Sequence, residues 1–288
     1  MKIKKPKIKK KLLRKILIGG AVVFLVVILP LWYVGCLQVF YTAVEYPPPV
    51  WQSNLTKKIS DKQTGAIHVP ILIYHHIIKA PLLAGGGSFL YVRPEIFAEQ
   101  MKYIQDNGYH VIPYADFYAA LTDGAPLAPK SVVLTFDDGH RDQYKNALPI
   151  LKQYHYSAMF YVSTQAIGNY RGSMTWKILH ELMSSGMEIG GHTVAHKPLT
   201  SLTPEVVDYE LAKSKQLLED NLFVPINHFA YPYGWYNTSA VEAGANMGYW
   251  SATLADGGGW YDRQKSVFLI PRIIMTEDMN YFKWALEN

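Results

Sequence analysis

The stretch Ser131-Val132-Val133-Leu134-Thr135-Phe136-Asp137-Asp138-Gly139 is a short apolar run that stops abruptly at two adjacent carboxylates and a glycine. Its β-branched content and the preceding Pro129 predict a central strand covered on both faces. Parallel α/β sheets and barrels place their chemistry at the carboxyl ends of such strands. Side chains alternate along a strand, so Asp137 and Asp138 are expected to point to opposite sides and to hold different jobs.

Downstream, Met187 to Ile189 is a second short apolar segment, followed by Gly190-Gly191-His192-Thr193-Val194-Ala195-His196. Two imidazoles four residues apart have metal-ligand spacing, although by themselves they read more readily as two ordinary surface or core histidines, and Asp-Asp-Gly is also a common turn sequence. Taken together, one carboxylate and two histidines leave coordination positions open for water and substrate, as a hydrolytic Lewis-acid site requires. Upstream, Val69 to Tyr74 predicts the first strand, closing at His75-His76. Strands are further expected at Val111-Ile112, Ala158 to Val162, near Phe229, at Trp250 to Leu254 and at Val267 to Pro271.

Helical periods fill the gaps between these strands. Pro94 opens a helix with Ile96, Phe97, Met101 and Ile104 on one face and Asn107-Gly108 as its cap. Others are expected around Asp116 to Leu121, at Ala147 to Leu151, at Trp176 to Met183, after Leu202-Thr203-Pro204, and near Ala240 to Met247. Alternating strand and helix units predict an α/β fold with a parallel sheet and outer helices. Periodicity alone leaves an open sheet and a barrel as alternatives.

Charge divides the chain. Of its 288 residues, Met1 to Lys15 hold nine of the 28 basic ones and no acid, leaving 19 basic against 23 acidic residues in the remainder. The basic pI therefore belongs to the tail, and the folded part is not expected to bind nucleic acid. No charge occurs from Ile16 to Phe40, a length that spans a bilayer as a helix. With the basic block before it, the positive-inside rule keeps residues 1–15 in the cytoplasm and sends the remainder outside. The expected organisation is a basic tail at 1–15, one transmembrane anchor or signal segment at 16–40, a Pro-rich linker at 41–68 and a folded domain at 69–288. Val34-Gly35-Cys36 offers an alternative, a lipoprotein anchored at Cys36. This cysteine is the only one, so no internal disulfide is possible.

Thr135-Phe136-Asp137-Asp138-Gly139 and His192-Thr193-Val194-Ala195-His196 together resemble the first two motifs of the polysaccharide deacetylase family, also called carbohydrate esterase family 4 or the NodB homology domain. The resemblance continues in Ile73-Tyr74-His75-His76-Ile77, in Phe229-Ala230-Tyr231-Pro232-Tyr233-Gly234 and in Ile270-Pro271-Arg272-Ile273. It implies a distorted (β/α)7 barrel with its site at the carboxyl ends. It also implies that Asp137 is a general base and that Asp138, His192 and His196 hold a divalent metal of the Zn, Co, Ni or Fe class. The backbone N–H of Tyr233 would face the oxyanion.

Two departures stand out. Ala230 occupies the place where many members carry an arginine that orients the base; Arg272 is expected either to fill that role from another strand or to be a structural salt bridge. No histidine stands in the late motif. The branch acting on poly-β-1,6-N-acetylglucosamine shows the same absence, with a first-strand histidine instead, which points to His75 as the acid and leaves His76 facing away. Tyr231, Trp235, Trp260 and Trp176 read as sugar-stacking faces or as core, and Asp256 as part of a sugar-contacting loop. His68, His110, His140, His155, His180 and His228 default to surface or structural roles. The expected function is metal-dependent N-deacetylation of N-acetylglucosamine-type units in an extracellular or cell-wall polysaccharide. Deacetylation of peptidoglycan or acetyl esters, and polysaccharide binding with little turnover, are the alternatives.

Overall fold

The computed structural model describes residues 66–80, 89–255, 258–262 and 266–288. The basic tail, the apolar segment with Cys36, the linker to residue 65, the Gly85-Gly86-Gly87 loop and Asp256 lie outside the described residues. Among those described, no helix is long and apolar enough to cross a membrane.

β4 (Ser131–Phe136) is an interior strand of the sheet, and every one of its residues is buried. It lies parallel to β2 (Ile71–Tyr74) on one side, with Tyr74 opposite Phe136. On the other side its start pairs with β3 (His110–Val111) and its end with β5 (Met159–Val162). Cover on both faces is why Val132, Val133, Leu134 and Phe136 run without polar alternation. β6 (Glu188–Gly191), β7 (His228–Ala230) and β8 (Ser251–Thr253) extend the sheet in order, all parallel. The result is a curled parallel α/β sheet with helices outside.

The last segment reaches both edges of this curl. Ile270 bridges Thr253 of β8, and Leu254 N–H donates to Ile270 O at 2.8 Å. β10 (Ile273–Ile274) then pairs with β2. The expected strand at Val267 to Pro271 is thus split. Pro271 has no N–H to give a ladder, and the chain crosses from one edge to the other at Pro271-Arg272, leaving Arg272 in the interior. A second difference lies at the front. Ala66–His68, expected as the linker's end, forms β1, which pairs antiparallel with β9 (Trp260–Asp262).

The helices follow their sequence periods. α1 (Pro94–Asp106) buries Phe97, Gln100, Met101 and Ile104 and ends at Asn107 and a left-handed Gly108. Its one buried polar side chain is satisfied: Tyr74 Oη donates to Gln100 Oε1 at 2.9 Å, and Gln100 Nε2 donates to Thr276 O at 2.8 Å. α2 (Tyr114–Thr122), α3 (Leu148–Tyr154), α4 (Trp176–Ser184), α5 (Pro204–Leu222), α6 (Thr238–Asn246) and α7 (Met279–Glu287) complete the outer layer. Thr203 stands at the N-cap of α5 but makes no side-chain cap bond. Pro204 at N1 with its fixed φ carries the start of that helix.

Candidate active site

Asp137 continues β4 by one residue, its N–H donating to Tyr74 O at 3.0 Å. Its carboxylate turns into the curl and meets Arg272 in a two-pronged pair, Nη1 to Oδ1 at 2.8 Å and Nη2 to Oδ2 at 2.7 Å. Arg272 is fully buried and has further partners: Nε donates to Leu254 O at 2.8 Å, Nη1 also donates to Thr135 Oγ1 at 3.0 Å, and the Tyr161 ring lies 5.0 Å from the guanidinium carbon. Burial by itself would raise the pKa of Asp137. The Arg272 charge and hydrogen bonds outweigh it, so this carboxyl lies below its ordinary value and is ionised.

Asp138 leaves the strand. Its φ of 74° and that of Gly139 at 76° reverse the chain at once, and a Cβ on Gly139 would stand 3.1 Å from Val162 Cγ1. This turn, rather than strand alternation, separates the two carboxylates. β6 brings the histidines. A Cβ at Gly190 would fall 2.5 Å from the Tyr161 ring, so the strand approaches that ring only as glycine. His192 Nδ1 lies 2.8 Å from Ala230 O and donates to it, which fixes the tautomer and leaves Nε2 bare. The loop to His196 is pinned by Glu210 of α5, which accepts from Val194 N and Ala195 N at 2.8 Å each, while Ser163 Oγ donates to Val194 O at 2.8 Å.

The Nε2 atoms of His192 and His196 stand 3.3 and 3.0 Å from Asp138 Oδ1, but that buried oxygen has no hydrogen bond of good geometry. The three donor atoms lie within 4.8 Å of one another. Ligand bonds of about 2.0–2.2 Å in a tetrahedral site put ligand atoms about 3.4 Å apart, close to these spacings. The bare Nε2 of His192, the Nε2 of His196 and a carboxylate oxygen converging without good hydrogen bonds to each other fit a divalent cation. Burial would raise the pKa of Asp138, and contacts with His140, His192 and His196 outweigh it and hold it well below the carboxylate range. Burial would lower that of His192, and Asp138 and Asp137 turn the shift upward. Both directions report a pocket that favours added positive charge.

His75 follows β2 beside Asp137. The register that pairs Tyr74 with Phe136 gives His75 and Asp137 the same side of the sheet. Its Nδ1 is buried and unpartnered, and burial lowers its pKa against the opposing charges of Asp137 and Asp138. Gln143 Nε2 donates to both His75 O and Asp137 O at 2.6 Å, tying the two strand ends together. Tyr233 lies in the single helical turn Pro232–Gly234 with φ 62°, and its ring meets His196 at 4.8 Å. Four of seven left-handed non-glycine residues among those described, Asp138, Thr193, His196 and Tyr233, belong to this one site. Such backbone costs about 1–3 kcal/mol per residue and persists where surroundings over-determine it.

The expected sugar-contacting residues divide. Trp235 is 58% exposed and tilts against Tyr233 at 5.6 Å, offering a face beside His196. Tyr231 is instead fully buried against Phe229, because its N–H continues the β7 ladder to Thr253 O. It supports the turn and presents no face to a ligand. Trp176 begins α4 at Thr175's cap. Trp260 lies in β9, in the ribbon that precedes the amino end of β2, away from the carboxyl-end site. His140, read from the sequence as structural or surface, sits at the site with Nε2 3.1 Å from Asp138 Oδ2. Its place two residues after Asp138 was the available signal. Gln143 and Glu210 had none, since each acts on backbone brought in from another strand or loop.

The fold and site together define a parallel α/β hydrolytic centre with a candidate Asp-His-His metal cluster beside an Arg-paired carboxylate. The sequence pattern of the family described as Polysaccharide deacetylase matches residues 124–252. YxkH of Bacillus subtilis (strain 168), whose name places it provisionally among polysaccharide deacetylases, is 30% identical over 212 residues, covering 74% of this chain and 73% of that one. The chain belongs to the polysaccharide deacetylase family, whose carbohydrate esterase family 4 members are metal-dependent enzymes. The poly-β-1,6-N-acetyl-D-glucosamine N-deacetylase of Escherichia coli (strain K12) is 28% identical over 244 residues, 70% of this chain but only 36% of that protein. Among solved structures, Streptococcus pyogenes deacetylase PplD in complex with acetate superposes with a TM-score of 0.73 and 29% identity over 78% of this chain and all of the other.

Proposed function

We propose that this enzyme removes acetyl groups from N-acetylglucosamine units of an extracellular or cell-wall polysaccharide, with a poly-β-1,6-linked polymer favoured. The observation that carries the reading is the pairing of Asp137 with Arg272 next to the Asp138, His192 and His196 cluster. An ionised carboxylate held off the cluster can take a proton, while the cluster accepts positive charge. The favoured polymer rests on the first-strand His75, on the lack of any histidine after His228, and on the named activity of the Escherichia coli relative.

A divalent cation held by Asp138, His192 and His196 would polarise the amide carbonyl and make water acidic enough to attack. Asp137 takes the proton from the attacking water, and Arg272 fixes its two oxygens and keeps them charged until then. The Tyr233 backbone N–H is assigned to the developing oxyanion. The C–O bond forms and the C–N bond breaks as the proton that Asp137 took from water is relayed through His75 to the nitrogen, so that nitrogen departs as amine and the acyl group as acetate. Trp235 is assigned to sugar stacking. The same reading takes the curled sheet, with its last segment bonded to both edges, as a distorted (β/α)7 barrel, and residues 1–40 as the membrane tether of an external domain.

Acetate release from poly-β-1,6-N-acetylglucosamine oligomers, chitooligomers and peptidoglycan, with and without chelator, tests this. The expected result is chelator-sensitive release, fastest from the β-1,6 oligomers. Release that survives complete metal removal, or none from any N-acetylated polymer, would overturn it.

A further inference from the structure

His140 touches the cluster but is neither the base nor one of the ligand set, and its surroundings are unusually specified. An ionised carboxylate only accepts hydrogen bonds, so the 3.1 Å contact with Asp138 Oδ2 is a donation from His140 Nε2. The other oxygen, Oδ1, is the one facing His192 and His196. His140 is not itself in the ligand cluster. Its backbone is fixed by a bridge to Ser173, and neighbouring Arg141 N–H donates to Gly172 O at 2.8 Å.

The ring is backed as well. His76 stacks on His140 with centroids 3.7 Å apart and planes 20° apart, and Tyr91 covers the far face of His76 at 4.4 Å and 5°. His76 Nδ1 donates to Asp142 Oδ2 at 2.8 Å, and Asp142 Oδ1 accepts from Ile77 N–H at 2.8 Å. His76 N–H and O in turn bond Leu90 O and Val92 N–H at 2.9 Å each. His76 and His140 are therefore each oriented by a contact outside the row, and the row ends on one oxygen of Asp138.

We propose that His140, braced by His76 and Asp142, is a positioning residue that occupies Asp138 Oδ2 and confines Asp138 to one-oxygen ligation of the metal. The inference rests on the metal-centre reading above and deepens it. A carboxylate freed on its second oxygen can bind through both, which raises the coordination number and removes an open position from substrate and water.

The test uses the full chain and cobalt(II) alone as probe, followed by visible absorption and by titration of affinity. Wild type is expected to give an intense low-coordinate spectrum. His140→Ala should bind cobalt about 10- to 100-fold more weakly, the range for losing a partner that orients a metal ligand. Its absorption per cobalt should fall as coordination number rises. His140→Gln, whose amide restores a donor near the same place, should recover most of the wild-type spectrum. His76→Ala should change it less than His140→Ala does. If wild type binds no cobalt, the metal-centre reading itself fails. If wild type binds and His140→Ala matches it in spectrum and affinity, only the positioning role is overturned. Should His140→Ala not fold, identical spectra for wild type and His140→Leu or for wild type and His76→Ala would overturn it instead.

Discussion

His192 and His228 are both almost fully buried, one just past the end of β6 and the other at the start of neighbouring β7, yet they sit in opposite electrostatic settings. At the carboxyl-end mouth His192 has Asp138 and Asp137 near it, and its hold on positive charge is strengthened. At the amino-end base His228 has Ser251 Oγ at 2.8 Å, the rings of Tyr114, Tyr118 and Trp250 around it and the Lys215 charge nearby. Burial, with Lys215 adding to it, pushes His228 down to about 3. Equal burial thus produces a cation-seeking site and a neutral structural one. What decides is whether a carboxylate acts on the imidazole: Glu188 lines the same cavity as His228 but is held by the Tyr114 and Ala115 N–H groups instead. The base also holds a cavity of about 430 Å³ lined by Met159, Met183, Met187 and Ile189 among others, and the strained residues gather at the mouth instead.

The largest effect should come from removing the mouth's proposed base. Asp137→Asn keeps the shape and loses the proton acceptor, so kcat is expected to fall about 10²- to 10⁴-fold. Metal content by elemental analysis should stay near wild type, since Asp137 lies outside the ligand cluster. A variant that loses its metal as well would show that the two carboxylates do not divide their work as described.

Next is the pair that lets the mouth bury charge at all. Arg272→Met leaves Asp137 in the interior without its partner, and breaking a buried pair by removing one member costs about 3–5 kcal/mol. Denaturant unfolding should show that loss above the carboxylate range. Adding Asp137→Asn should recover part of it, because the uncompensated charge is gone. Equal stabilities for the single and double variants would mean that the pair is not what makes the charge tolerable there.

How much of this was readable beforehand follows from locality. β4, the two carboxylates, the histidine pair and Arg272 each sit in a few contiguous residues whose pattern carries strand ends and polar stops. Arg272 was legible as a candidate to orient Asp137 from another strand or as a structural salt bridge, and its two-pronged pair with Asp137 follows from where the chain crosses between sheet edges at Pro271. The row Tyr91, His76, His140 was not legible, because it joins three segments through ring faces, which leave no spacing signal. The same holds for Glu210, whose carboxylate sits on α5 and closes a loop after β6. Tyr231 misled because an aromatic beside a strand end looks the same whether the turn exposes or buries it.

The smallest effect tests the other half of the comparison. If His228 is neutral in the native protein because nothing near it stabilises charge, protonation must favour the unfolded chain. Its pKa is about 3 when folded and 6.5 as its ordinary value. Between these values the unfolded chain binds one more proton, so stability is complete above pH 6.5 and falls as pH drops below it. From pH 8 to pH 5 the loss from this residue should be about 2 kcal/mol. His228→Gln, which cannot titrate, should lose less over the same interval, whatever its stability at pH 8. The comparison is made by urea midpoints at pH 8, 6.5 and 5, with both proteins stripped of metal so that the mouth contributes equally. Parallel midpoints for the two proteins would show that His228 titrates normally when folded. The contrast between the two buried histidines would then come from water reaching the base cavity, and not from the lack of a carboxylate acting on His228.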